Sequence, residues 1–233
     1  MHIAKQFISG FFKLFFPKVC AVCGNDLMEG EESICLACLY EIPLTRYWKD
    51  TENPVAQIFW GRVNIENACA YFFFVKGSKY RPILHKLKYK GQKELGLELG
   101  LQFGQALKNS QFYSGIDYVV PVPLHPKKLR IRGYNQAEAI AEGMEKGMGV
   151  EISTSHLIRT EFTETQTRKT RAERVKNVSA AFAVANSSEI EGKHLLLVDD
   201  VVTTGATLEA CANKLLEVKN CKVSIAALAY ASL

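Results

Sequence analysis

No apolar stretch in this chain is long enough to cross a bilayer. Runs such as Tyr71 to Val75 and His194 to Val198 stop far short of the roughly 20 residues a membrane helix needs. Internal repeats and low-complexity tracts are missing too, which excludes solenoid and collagen-like architectures. Charge of one sign does not dominate: 29 basic residues face 24 acidic ones, a net charge of +5 that suits anionic ligands without naming one. The cysteines lack even parity, since seven cannot pair off into a secreted disulfide framework. With four of them in two C-x-x-C pairs, metal binding in a reducing compartment fits better, and a cytoplasmic location is expected.

What is present is an ordinary globular composition, 48% hydrophobic and 23% charged, with enough apolar side chain for a core. At roughly 150 residues per domain, the 233 residues allow one domain and a smaller appendage. The opening segment to Phe16 is apolar with interspersed lysines but has no small-x-small cleavage site. Ile3, Phe7, Phe11 and Phe15 recur at helical spacing, so a short helix packing on the body is expected; contact with a membrane surface or a partner is the alternative.

Cys20-x-x-Cys23 and Cys35-x-x-Cys38 are separated by eleven residues, a spacing close to that of structural four-cysteine zinc sites. Each pair forms a knuckle offering two thiolates, and four thiolates close a tetrahedral shell around Zn²⁺ with no position for a catalytic water. Such a ribbon holds together a segment too small to build its own core. Cys69, Cys211 and Cys221 have no metal-type spacing and read as packing residues.

Beyond the knuckles, the stretch from Tyr40 to about Asn67 is irregular, with Pro43, Pro54 and Gly61. The expected organisation is an N-terminal helix and zinc-ribbon module over 1–50, a connector over 51–67 and a main domain over 68–233. Strands are expected at 70–75, 118–122, 156–159, 181–184, 194–198 and 222–228, and helices at 80–89, 93–108, 134–146 and 206–218. This alternation predicts an α/β fold, a mostly parallel sheet flanked by helices, with ligands beyond the carboxyl ends of the strands.

The richest segment is Leu195-Leu196-Leu197-Val198-Asp199-Asp200-Val201-Val202-Thr203-Thr204-Gly205-Ala206-Thr207. A buried strand ends in two carboxylates, and a loop of small and hydroxyl residues then turns into a helix. Backbone N–H groups at a helix start, with threonine hydroxyls, surround a phosphate. The carboxylates would repel that phosphate, but they suit vicinal sugar hydroxyls or a Mg²⁺ ion carried with the ligand. A ribose 5-phosphate group satisfies both halves.

This segment resembles the signature of the type I phosphoribosyltransferases, which bind phosphoribosyl pyrophosphate. The resemblance implies that Asp199 and Asp200 meet the ribose hydroxyls and that Thr203, Thr204, Gly205, Ala206 and Thr207 hold the 5-phosphate. One departure is Thr203: the purine-salvage branch has an acidic residue there, and threonine cannot carry out its proton transfer, which argues against hypoxanthine-type substrates. The two cysteine pairs, Pro121-Val122-Pro123-Leu124, Arg132-Gly133-Tyr134-Asn135-Gln136, the stretch from Thr165-Gln166 to Arg174 and Asn177, and the acidic pair follow one another as in the ComF family. That family is linked with natural competence and DNA uptake in bacteria, and the resemblance covers almost the whole chain.

After Pro123, His125, Lys127, Lys128, Arg130 and Arg132 place five residues able to carry positive charge within eight positions. In the resembled fold this is the pyrophosphate loop, with Lys128 and Arg132 as the favoured contacts; a solvated basic face is the other reading. Tyr134, Asn135 and Gln136 either read an acceptor or cap and pack the next helix. From Arg159 to Lys176 four arginines and two lysines sit among threonines and glutamates, with too few apolar residues to bury. Type I enzymes use a mobile lid at this place, which makes Arg168 and Arg171 catalytic candidates and, with Arg174, candidates for contacting pyrophosphate or a nucleic-acid backbone; an exposed connector is the alternative.

The resemblance thus implies transfer of a phosphoribosyl group with release of pyrophosphate, supported by Mg²⁺, with a structural Zn²⁺ and no membrane insertion. The rival expectation keeps the pocket without turnover, as a sensor of phosphoribosyl pyrophosphate or a binder of single-stranded DNA among competence-machinery proteins.

Overall fold

The computed structural model describes residues 18–89, 92–160 and 181–231. The N-terminal helix expected before Cys20, and the Thr165 to Asn177 stretch with Arg168, Arg171 and Arg174, lie outside the described residues. After the first cysteine turn come α1 (Leu36–Tyr40), a 3-10 turn at Tyr47–Lys49 and α2 (Pro54–Gln57). The stretch that reads as irregular in sequence therefore has structure of its own. Asn53 caps α2 by accepting from the N–H groups of Val55 and Ala56 at 3.0 and 3.1 Å, and Pro54 sits where its missing N–H costs nothing. The Asn53 amide donates in turn to the carbonyl of Ala68 at 2.8 Å, tying this turn to the first strand. Val55, Ala56 and Phe59 are buried behind it.

The main body runs β1 (Ala68–Phe73), α3 (Arg81–Tyr89), α4 (Lys93–Lys108), β2 (Tyr118–Pro121), α5 (Pro126–Arg132), α6 (Gln136–Met148), β3 (Leu157–Arg159), β4 (Phe182–Val184), β5 (His194–Val202), α7 (Ala206–Leu216) and β6 (Lys222–Tyr230). Four strands form one sheet in the order β1-β6-β5-β2, and every pairing is parallel. Leu197 stands opposite Ile225 on one side and Val120 on the other, which puts β5 in the interior of the sheet. The two short strands expected within the alternation do not join this sheet. β3 and β4 pair antiparallel with each other, Ile158 opposite Ala183.

A parallel sheet covered on both faces needs strands that are apolar throughout, which accounts for the unbroken run Leu195 to Val198. Leu196 and Val198 pack with Leu99, Phe103, Ile140 and Met144 of α4 and α6. Leu195 and Leu197 pack on the opposite face with Leu208, Cys211 and Leu215 of α7. Cys69, Cys211 and Cys221 are buried among these side chains, as their lack of metal spacing predicts. Contact between α4 and α6 is closer than side chains allow. A Cβ on Gly100 would stand 2.1 Å from the carbonyl oxygen of Ile140, and one on Gly143 would stand 2.2 Å from that of Leu97. Only glycine lets the two backbones meet there.

Cys20, Ala21, Ile34 and Cys38 belong to the same apolar cluster as Trp48, Tyr71 and Phe103, so the cysteine turns rest on the main body. The Ser33 N–H donates to the Glu98 carboxylate of α4 at 2.9 Å. Among the described residues no helix is long and apolar enough to cross a membrane.

Candidate functional site

The acidic pair does not mark the end of its strand as expected. β5 continues to Val202, because its backbone keeps pairing with β6 as far as Val202 opposite Tyr230. As successive residues of a strand, Asp199 and Asp200 turn to different sides. Asp199 joins Thr203 to Leu208 in lining a concavity of about 70 Å³ at the start of α7. Asp200, only 8% exposed, forms an ion pair with Lys88 of α3 at 3.0 Å. Burial, reinforced by the negative charge of Asp200, pushes the Asp199 carboxyl up to about 7, while Lys88 and Lys128 pull the other way. The Asp200 N–H donates to Asp199 Oδ1 at 2.8 Å and fixes that carboxyl.

Thr203, Thr204, Ala206 and Thr207 are exposed around the turn, and Gly205 caps α7 with φ of +73°. A Cβ on Gly205 would meet Ile58 at 2.7 Å and Phe59 at 2.9 Å, so the loop lies directly on the segment that follows α2. From that segment Arg62 reaches across: its Nη1 donates to the carbonyl oxygens of Ile58 and Thr204, both at 2.9 Å, and its Nη2 pairs with Glu209. The loop is therefore braced from outside the main domain's own motif. Lys88 and Arg62 were missed in sequence because neither lies in a recognisable pattern; only tertiary folding brings them to β5 and α7.

The basic segment expected as a loop is the helix α5. His125 caps it, its Nδ1 accepting from the Lys127 N–H at 3.1 Å, Pro126 opens it and Gly133 closes it at φ of +79°. Lys128 is exposed with its charge felt at Asp199, whereas Arg132 is half-buried and donates to Gln136 at 2.5 Å. Tyr134, Asn135 and Gln136 serve capping and packing. Asn135 accepts from the Ala137 N–H at 3.2 Å and donates to the Val122 carbonyl at 3.0 Å, and Tyr134 donates to the Leu87 carbonyl at 2.5 Å.

The four sulfur atoms of Cys20, Cys23, Cys35 and Cys38 lie within 4.8 Å of one another, a cluster that fits a zinc ribbon. A tetrahedral Zn²⁺ with Zn–S bonds of 2.3 Å would set its sulfurs about 3.8 Å apart. Cys23 and Cys35 stand at 3.8 Å. Burial opposes ionisation of Cys20, yet the N–H groups of Cys35, Cys23 and Val22 hold its thiol down to about 6. Burial and the neighbouring thiols push Cys38 up.

Comparison with known proteins agrees with this geometry. Residues 132–232 match the model of the phosphoribosyl transferase domain. The chain is 29% identical to "Competence protein ComFC" of Bacillus subtilis, covering 86% of this chain and 78% of that protein. It is 34% identical to "Competence protein F" of Haemophilus influenzae over 39% of this chain and 40% of that one. It is 28% identical to "DNA utilization protein YhgH" of Escherichia coli over 58% of this chain, and that match spans 60% of the relative's length. The order of motifs, the domain match over residues 132–232 and the competence relatives point the same way: the chain is similar to the ComF-family proteins and, through that domain, to the phosphoribosyltransferases.

Proposed function

We propose that the chain binds phosphoribosyl pyrophosphate together with Mg²⁺ and transfers the phosphoribosyl group to an acceptor. The observation that carries this reading is the shared concavity of Asp199 and the Thr203 to Leu208 turn, which offers hydroxyl acceptors and phosphate donors side by side. Asp199 orients the ribose hydroxyls from within the concavity, Asp200 contributes from the other side of the strand where Lys88 pairs with it, and Thr203, Thr204, Gly205, Ala206 and Thr207 hold the 5-phosphate. The bond from the anomeric carbon to the pyrophosphate oxygen breaks, its electron pair leaves with pyrophosphate, and a lone pair of the acceptor forms the new bond as the acceptor loses a proton. Lys128 and Arg132 take up the charge of the leaving group, with Arg168 and Arg171 from the segment outside the described residues. The carboxylate oxygens are donors suited to a hard cation, and Mg²⁺ carried with the ligand would supply charge neutralisation. The four thiolates hold a structural Zn²⁺. The odd cysteine count and the two C-x-x-C pairs support a reducing, cytoplasmic setting, and the names of the relatives support a place in DNA uptake.

Calorimetry with phosphoribosyl pyrophosphate, with and without Mg²⁺, tests the pocket. Binding is expected to need Mg²⁺ and to weaken in Asp199→Asn and Asp200→Asn. Unchanged affinity in both variants would reduce the motif to strand and helix termination.

One observation favours a second reading, a non-catalytic protein that binds single-stranded DNA and keeps the pocket as a sensor. No residue of α5 is buried, and Leu129 and Ile131 are 42% and 82% exposed among its basic side chains. Exposed lysines and arginines on a short helix suit the backbone of a nucleic acid. Its mark is DNA affinity falling steeply with salt, with no pyrophosphate released in the presence of any acceptor.

A further inference from the structure

A second cavity, of about 290 Å³, lies on the other side of Val201 and Thr203, between α3 and the carboxyl ends of β1, β5 and β6. Its floor is apolar, built by Phe74, Leu84 and Val201, and its rim carries Arg81, His85 and Lys88. No carboxylate lines it among the described residues. The three basic residues are spaced i, i+4 and i+7, so the cavity faces a single stripe of α3.

Both walls are held firmly. The Phe74 N–H donates to the Tyr230 carbonyl at 2.7 Å and the Ala231 N–H to the Val202 carbonyl at 3.0 Å, which extends the parallel ladder under the floor. α3 is pinned at its start by Tyr80, whose hydroxyl donates to the Cys38 carbonyl, and near its end by Tyr134, which donates to the Leu87 carbonyl. Val201 and Thr203 line both this cavity and the concavity at the start of α7, and Lys88 touches Asp200. A ligand here would lie against one held by the acidic pair and the loop.

We propose that this cavity binds a flat ring carrying an anionic group, and, resting on the function proposed above, that such a molecule is the acceptor. An apolar floor beside the Phe74 ring rewards burial of a planar apolar body. At the rim the exposed Arg81 guanidinium supplies the cation, beside a Lys88 ammonium shared with Asp200 and the His85 ring, and this rewards negative charge and discriminates against a neutral ring of the same shape. The anionic group is a carboxylate or a phosphate, and the ring lies against the Thr203 side of the strand end.

Titration with nicotinate, nicotinamide and phenyl phosphate, followed by calorimetry, separates these features. Nicotinate and nicotinamide share a ring and differ in charge, and phenyl phosphate tests the phosphate form. At least one of the two anions is expected to bind ten-fold or more tightly than nicotinamide. Arg81→Glu should weaken that anion at least ten-fold, and Phe74→Ala should weaken it as well. Arg81 is an exposed first residue of α3, and a thermal melt checks that the variant folds. Equal binding of all three probes, no binding of any, or anion binding unmoved by Arg81→Glu would overturn the inference. Phosphoribosyl pyrophosphate with Mg²⁺ is titrated into the same preparations. Anion binding that responds to Arg81→Glu, without phosphoribosyl pyrophosphate binding, supports the cavity and overturns the proposed function; the converse result overturns the cavity alone.

Discussion

The hydroxyl of Tyr80 donates to the carbonyl oxygen of Cys38 at 3.0 Å. Cys38 belongs to the thiol cluster, and Tyr80 immediately precedes α3, the helix whose Lys88 reaches Asp200. The cysteine turns are thereby part of the scaffold that places a cation at the acidic pair. Lys79 beside Glu41 adds a second, exposed tie between the same two elements.

If the cluster holds zinc, elemental analysis of protein purified without chelator should find one zinc per chain, and Cys35→Ser should lose it. Because Tyr80 rests on the Cys38 turn, chelation should also loosen α3. Tyr80→Phe, which deletes one hydrogen bond and keeps the ring, should cost about 1 kcal/mol and leave the zinc content intact. Substoichiometric zinc in the parent protein would refute the assignment.

The elevated carboxyl of Asp199 makes stability depend on pH in a defined direction. Its folded value, about 7, lies above the ordinary 3.8 of the unfolded chain, so between those values the folded state binds more protons. The stability that Asp199 contributes is complete below about pH 4 and is lost as pH rises toward 7. Asp199→Asn removes this dependence. Denaturation of the two proteins from pH 4 to 8 should show the variant gaining relative to the parent as pH rises, and a constant difference would contradict the shift.

Arg62 braces the turn proposed to hold the 5-phosphate, through the Thr204 carbonyl and Glu209. Arg62→Ala should weaken binding of phosphoribosyl pyrophosphate by about 1 to 2 kcal/mol, through a loop less well positioned, with little change in secondary structure. Thr207→Ala, which removes the hydroxyl proposed to donate to the phosphate, should cost about 1 to 3 kcal/mol. Calorimetry on both variants, alongside circular dichroism, measures the two effects.

Gly100→Ala puts a methyl group against the Ile140 carbonyl and forces α4 from α6. A loss of about 1 to 3 kcal/mol is expected in denaturant unfolding, as for overpacked cores. Gly115→Ala, where a Cβ meets open space but φ is +75°, separates backbone strain from crowding.

Local chemistry made much of this protein legible from its sequence. The spacing of Cys20, Cys23, Cys35 and Cys38 foretold a cluster because knuckle geometry is set within four residues. The run Leu195 to Val198, two carboxylates and a glycine-containing turn foretold a buried strand that turns at Gly205 into a helix, because each depends on neighbours in the chain. The helix 93–108 was readable in full from its apolar periodicity. Tertiary structure decided what sequence separation hides: Lys88 against Asp200, Arg62 against Thr204, Tyr80 against Cys38, and the withdrawal of β3 and β4 from the sheet. Those contacts join segments up to 142 positions apart, and no local propensity encodes them. They follow from burying both faces of a parallel sheet, which fixes where α3 and the turn after α2 must pack.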